Sequence, residues 1–467
     1  MKIRHLFAAL FWLGILAISC NQDDIAFDAP SQELRFSQDT VFCDTVYHQV
    51  RSESYAVKVY NDEDRDIMIP HINLGRGAAS LYRINVDGQS GHSFANVPVR
   101  KKDSLYIFVE IAPTASGPEA IAEDYINFTT PVSQQQVTLF SVVQDAEFFV
   151  QTPGNPNTLT GNVTWNPDKA KIIYGDLTLE TGAELNIEQG TRVYFFKNSG
   201  MKVEGGATLN VNGDLGQEVT IRGHRNDPKY DTIPKNWNSI YFQPGAALNM
   251  NYGKVFGGIR GLDLREATAN IKNSIIHTFD EYGIHAVNST INAENLVMNN
   301  CLNSSIGIYK GGNYNFVHST IANYWQLTGT GDALSLYASN EWVTANGQIE
   351  SAPMNLNIRN SILYTRGSNA IMLNIAPAQT FTYLIQNSLF KHDSNVAGFG
   401  FTGNPSIVNS IINQDPKFMN YYTAQMNMRV ASNSEAKGKG DPSVAAGVPL
   451  DLVKVSRTSN PTLGAYQ

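Results

Sequence analysis

Cysteine is scarce. Three thiols in 467 residues, Cys20, Cys43 and Cys301, cannot staple a disulfide scaffold, and none belongs to a Cys-x-x-Cys pair or a Cys/His zinc cluster. Charge is scarce as well: 16% of the chain is charged and the formal net charge is -8, which excludes an electrostatic nucleic-acid binder. Leu, Ala, Lys and Glu do not dominate, so a helical bundle or coiled coil is excluded too. Past residue 18 no run is apolar enough to span a bilayer. The spacings GxSxG, HExxH, the phosphate-binding loop and the EF-hand are missing, so no cofactor and no metal is expected. The paired-Asp motifs of inverting galacturonases are missing as well.

What is plentiful is Gly (37), Phe (22) and Tyr (21), a β-rich composition. The first residues carry an address. Lys2, Arg4 and His5 precede the apolar stretch Leu6 to Ile18, too short to span but suited to a secretory signal. Ala17-Ile18-Ser19-Cys20 resembles a bacterial lipobox, and Asn21-Gln22-Asp23-Asp24 resembles the acidic export signal of Bacteroidetes surface lipoproteins. The resemblance implies lipidation of Cys20, membrane anchoring through that lipid, and a place on the outer membrane at the cell surface. Residues 1–20 are then the signal peptide and 21–33 a tether.

From residue 34 to 147 short alternating strands such as Tyr55 to Tyr60, Tyr82 to Val86 and Leu105 to Ile111 stop at turn residues, which predicts an antiparallel β-sandwich. The segments Val41 to Val46, Asn85 to Gly88 and Asp103 to Val109 resemble the immunoglobulin-like domain that opens many Bacteroidetes surface lipoproteins, a spacer more often than a catalyst. Cys43 is expected as a core thiol.

After residue 270 one pattern recurs: Ile271-Lys272-Asn273-Ser274-Ile275-Ile276, then units centred on Asn295, His318, Asn360, Asn387 and Asn409. The step is about 22 residues, and the step from 318 to 360, nearly twice as long, holds one coil carrying a loop. Apolar residues stand two places before and two after the Asn position, with Thr320 the exception; on one continuous strand both point to the same face. Stacked in parallel, such units bury a column that no single unit could bury, which makes residues 148–467 a parallel β-helix. The Asn column is expected as an internal amide ladder, and the Pro- and Gly-containing tail as an end cap. The glycine-cornered stretch Gly175 to Phe195, the segment Gly205 to Gly213 and the closing Leu463-Gly464-Ala465-Tyr466 resemble right-handed β-helix lipoproteins of the pectate-lyase-like group. The whole chain therefore reads as all-β: an N-terminal antiparallel β-sandwich followed by a right-handed parallel β-helix.

Chemistry is harder to place. Four and five positions after the Asn the columns hold no carboxylate; six after, Asp393 and Asp415 fall on consecutive coils beside Lys391 and His392. Two carboxylates one strand apart can share a proton or bind Ca²⁺, and the lysine or histidine can act as a base in a lyase-type β-elimination; a polar loop and a turn before Pro416 are the plainer account. Asp280-Glu281 with His277 and His285 form a second cluster, for which a turn between strands at Asp280-Glu281-Tyr282-Gly283 is the plainer account. Tyr324, Trp325 and Trp342 offer flat faces to sugar rings if the loop carries them out, as does Trp237; packing beneath the loop or in the core is the alternative. The leading reading is a lipoprotein whose β-helix is a non-catalytic binding or structural rod for polysaccharide or another envelope protein. The alternative is a β-helix polysaccharide lyase or glycoside hydrolase, an analogy from fold.

Overall fold

The structure, a computed structural model of the chain, describes residues 26–48, 50–113, 119–225, 228–325, 327, 333–393 and 403–467. Cys20 and the expected signal segment lie outside the described residues. The chain divides into two units, with the boundary between Val143 and Gln144. It falls there because Ala146–Val150 already pairs in parallel with Ala170–Tyr174. No helix among the described residues is long and apolar enough to cross a membrane.

The first unit is a β-sandwich. One sheet runs Arg35–Phe36, Tyr55–Tyr60, Ser104–Ile111, Tyr82–Val86, Gln89–Gly91; the other runs Thr40–Phe42, Gln134–Gln144, Glu119–Thr129, Ile67–Leu74, Ser93–Val99. Alternation does the work: Ile107, Val109 and Ile111 are buried while Tyr106 and Phe108 face out. The opening segment serves both sheets, pairing antiparallel to Tyr55–Tyr60 through Arg35–Phe36 and parallel to Gln134–Gln144 through Thr40–Phe42. Cys43 is buried in the sandwich core, and Cys301 of the second unit is a buried free thiol whose burial pushes it up to about 12.

The second unit is a parallel β-helix. An eleven-stranded sheet takes one strand per coil, from Ala146–Val150 to Ile411–Ile412, a seventeen-stranded sheet takes the other coil strands, and two short pairs, Glu341–Val343 with Ile349–Ser351 and Phe418–Asn420 with Asn427–Val430, stand apart. Successive coils stack in register, for example Thr268–Lys272 on residues 290–294 of Tyr282–Glu294. The core is one continuous column of buried aliphatic and aromatic residues from Trp165 to Phe390. Trp237 lies wholly inside it, its ring 4.8 Å from that of Phe195 and its Nε1–H donating to Phe256 O at 2.9 Å.

The recurring Asn does not sit within a strand. Asn273, Asn295, His318, Asn360, Asn387 and Asn409 all have φ between 44° and 53°, the left-handed region that Asn tolerates better than most residues. Each is a corner, so the expectation that flanking apolar residues share one face is corrected. Ile271 and Ile276 point into the core, whereas Ile275 packs outward, as do Val297, Ile362 and Leu389. The serine after the corner satisfies the turn: the backbone N–H of Ser319, Ser361 and Ser388 each donates to the serine hydroxyl of the next coil at 3.0–3.2 Å.

The outward apolar row explains the tail, which is a second correction. Instead of capping the end, the closing segment lies back along the eleven-stranded sheet, where Met428, Leu452 and Ala465 pack on Val297, Ala322 and Tyr324. The Asn corners hold it in place. Asn295 donates to Leu450 O, Asn360 to Asp441 O, and Asp441 N to Asn360 Oδ1, while Lys454 reaches Asp214 at 2.6 Å. The corner column is a ladder in stretches, Asn360 to His318, Asn295 to Asn273 and Asn273 to Asn251. Asn360→Ala removes both bonds to Asp441 and should weaken tail docking by about 2 kcal/mol. Hydrogen exchange of the amides of residues 436–467 should quicken; unchanged protection would show that the apolar contacts alone hold the tail.

The long amide ladder stands elsewhere. Asn186, Asn210, Asn249, Asn270, Asn292, Asn315 and Asn357 occupy one register position on consecutive coils, half-buried or exposed. Each Nδ2 donates to the preceding Oδ1 at 2.9–3.2 Å.

Candidate functional site

One stretch of the outer surface combines charge, aromatic rings and a concavity. It lies on Arg260–Arg265, the first half of Tyr282–Glu294, the first half of Ser304–Val317, Leu334–Ser339 and Ile371–Asn374. On these strands alternate residues face out, so the coil register places Asp263, His285, Gly307, Tyr337 and Met372 in one column. Val287, Tyr309 and Arg265 form the column beside it.

Asp263 is the hub. Its carboxylate accepts from Arg260 Nη1 at 2.9 Å, Arg265 Nε at 2.9 Å and Nη2 at 3.4 Å, and meets His285 Nδ1 at 3.0 Å. Burial pushes this carboxyl up, but the His285 hydrogen bond and Arg265 outweigh it and hold it far below the usual range. Burial brings the His285 imidazole down, with the Asp263 charge opposing. An ionised carboxylate only accepts, so the Asp263 contact is a hydrogen bond when Nδ1 carries the proton, while the Arg265 Nη2 donor lies 3.3 Å from the same nitrogen. Arg260 also pairs with Glu281, which gives two guanidiniums and two carboxylates, a neutral set.

Rings close over the histidine. Tyr282, Tyr309 and Trp342 stand 4.9, 5.2 and 5.7 Å from His285 between ring centroids, and Tyr337 follows 5.3 Å beyond Tyr309. The hydroxyls of Tyr282 and Tyr309 are 2.9 Å apart. Gly307 makes this packing possible, since a Cβ there would come within 2.8 Å of the Tyr282 ring and 3.1 Å of the Tyr309 ring. Trp342 arrives on the hairpin Glu341–Val343 with Ile349–Ser351, the loop of the long coil. Lys310 pins that hairpin by bridging Glu350 and Glu266 at 3.0 and 3.1 Å, and the Arg265 guanidinium lies 5.2 Å from the Trp342 ring centre. Beside the rings a concavity of about 470 Å³ opens, lined by Tyr282, Tyr309, Tyr337, Leu302, Asn303 and Met372 among others.

Of the residues expected to bind, Trp342 belongs to this site. Tyr324 and Trp325 do not, because both are buried, at 9% and 5% exposure. Tyr324 stacks on Tyr421 at 4.2 Å under the tail, so the packing account holds for it. Lys391, Asp393 and Asp415 lie beyond the strand pairing that was to set them side by side. The strand pairing ends at Phe390 with Ile412, and Asp415 has turned to accept from Lys417 N at 2.8 Å. Lys391 lies over Tyr364 and points at the Thr365 and Arg366 carbonyls. No group of three or more His, Cys, Asp or Glu among the described residues could hold a metal.

The second expected cluster is divided among separate surroundings. His277 is buried against Phe256, 4.8 Å between ring centroids, and burial brings it down to about 3. Asp280 pairs with Lys235 at 3.3 Å, Glu281 with Arg260, and only His285 reaches the hub. Asp263, Arg260, Arg265 and the three tyrosines were missed because only columns after the Asn were compared. Ten places before Asn273 and Asn295 stand Asp263 and His285, a signal the same periodicity offers.

No family model matches the chain, and no curated protein does. Among solved structures, a PapD-like domain of human CEP192 aligns at 10% identity and TM-score 0.18, covering 28% of this chain and 96% of that one. A family 123 glycoside hydrolase from Clostridium perfringens, described for glycolipid glycan hydrolysis, aligns at 9% and 0.18, covering 28% and 26%. The Agl-KA catalytic domain aligns at 9% and 0.20, covering 78% and 100%. At such scores the fold rests on the strand registers and not on these likenesses.

Proposed function

We propose that this chain is a membrane-anchored, surface-exposed lipoprotein whose β-helix is a non-catalytic binding rod for polysaccharide, with the immunoglobulin-like sandwich as its spacer. The observation that carries the reading is the tyrosine row: Tyr282, Tyr309 and Tyr337 line a concavity on a rigid sheet, the mix of apolar rings and a few polar groups that suits sugar. The neighbouring carboxylate supports binding over catalysis, because Asp263 already takes up both arginines and the histidine. The lysine or histidine base of the alternative reading, a β-helix lyase or glycoside hydrolase, has one observation in its favour, the His285–Asp263 pair.

Both readings meet in one experiment. The protein is incubated with a panel of acidic and neutral polysaccharides, with and without Ca²⁺, following binding and new reducing ends together. Binding without new ends is the expected result. New ends that vanish in His285→Ala would establish the enzyme instead. For the anchor, Cys20→Ser should move the protein from the membrane to the soluble fraction, since stable anchoring needs two or more acyl chains; a variant that stays with the membrane removes the lipoprotein assignment.

A further inference from the structure

Resting on the binding reading above, we infer that the tyrosine concavity takes a neutral pyranose glycan and rejects uronic-acid polymers. None of the residues lining it carries a formal charge. The arginines of the hub and Lys310 are already engaged: Arg260 and Arg265 by Asp263 and Glu281, Lys310 by Glu266 and Glu350. The further charge that acts on Tyr337 is that of Glu341, which is negative. A uronate carboxylate seated on these rings would lose water without gaining a counter-charge, and would meet Glu341 as well. A neutral ring pays no such penalty. Its C–H face lies on Tyr337 and Met372, half-buried and 41% exposed respectively, while Asn303 at the rim supplies an amide for a hydroxyl. The volume of about 470 Å³ falls within the range of small-molecule sites.

The test is titration calorimetry of the full chain in detergent with short oligomers of glucose, mannose and galactose and with oligogalacturonate, at about 50 and about 500 mM salt. The expected result is binding of at least one neutral oligomer, unchanged between the two salts, with no heat from oligogalacturonate. Tyr337→Ala should weaken binding about tenfold or more, and Met372→Ala, at an exposed position that leaves the core intact, several-fold. Binding of oligogalacturonate alone, weakened by salt and lost in Tyr337→Ala, overturns the neutral-ligand inference while keeping the site. Binding of a neutral oligomer untouched by both variants overturns the placement. No heat from any of the four overturns the binding reading, and the inference with it.

Discussion

Removing the Trp237 indole should lower the unfolding free energy of the β-helix by about 3–5 kcal/mol, the range for a large aromatic deleted from a packed core. Trp237 has no exposed surface, stacks on Phe195, and meets Phe279 edge-on at 6.1 Å. Gly258 presses on the same ring, since a Cβ there would come within 2.8 Å of it, so backbone bounds one side of the space and cannot close into it. The indole also satisfies Phe256 O, which Trp237→Ala leaves buried without its donor. Urea unfolding followed by circular dichroism gives the measurement, with an unchanged slope marking a pure stability effect. Trp237→Phe should recover most of the loss but not the hydrogen bond, about 1 kcal/mol. A fall of less than about 1 kcal/mol for the alanine variant would show that the coil closes over the gap, against the packing described.

Acid should destabilise the β-helix by a comparable amount through its buried histidines. His277 and His318 are both brought down to about 3, by burial first, with Lys254 and Arg222 adding to the effect at His277 and Arg457 at His318. The unfolded chain, with histidines near 6.5, therefore takes up protons that the folded chain refuses. Stability is full above about pH 6.5 and is lost as the pH falls from there towards the folded value. Linkage gives about 2 kcal/mol per histidine between pH 7.5 and pH 5, hence about 4 kcal/mol for the two. His318 supplies the control. It stands where the other corners carry Asn, at φ 47°, and its Nε2 meets Asn360 Nδ2 at 3.0 Å. His318→Asn should keep the stability at pH 7.5, because Asn suits the left-handed corner, and should remove about 2 kcal/mol of the acid loss. Equal acid sensitivity in the variant and the parent would mean that His318 does not titrate between the two states.

The site shows how far periodicity reaches. Trp342 was legible because the long step between 318 and 360 announced an excursion, and an excursion is where a ring leaves the coil. Tyr324 sits at the start of the same excursion and looked equivalent; the tail that covers it begins about a hundred residues later, so nothing local marks the burial. Asp393 and Asp415 lie past the reach of the repeat. Counting places after the Asn assumes that coils keep their register, whereas the pairing ends at Phe390 and Asp415 turns away before Pro416. Asp263 and His285 were within reach of the same counting, had it run backwards from the corner.

By itself the sequence determined the all-β class, the sandwich and the stacked coils, because two-residue alternation and a repeat of about 22 residues are written in consecutive positions and act over short distances. It did not determine which way the repeated residues point, since a left-handed Asn corner and a straight strand share one apolar spelling and differ only in φ. Only the tertiary structure decided that the tail lies along the sheet, that the corner amides hold it, and that Asp263, His285, the tyrosines and Trp342 meet on one face. Those contacts join residues one or more coils apart, and their register follows from every turn between them, so no local pattern carries it.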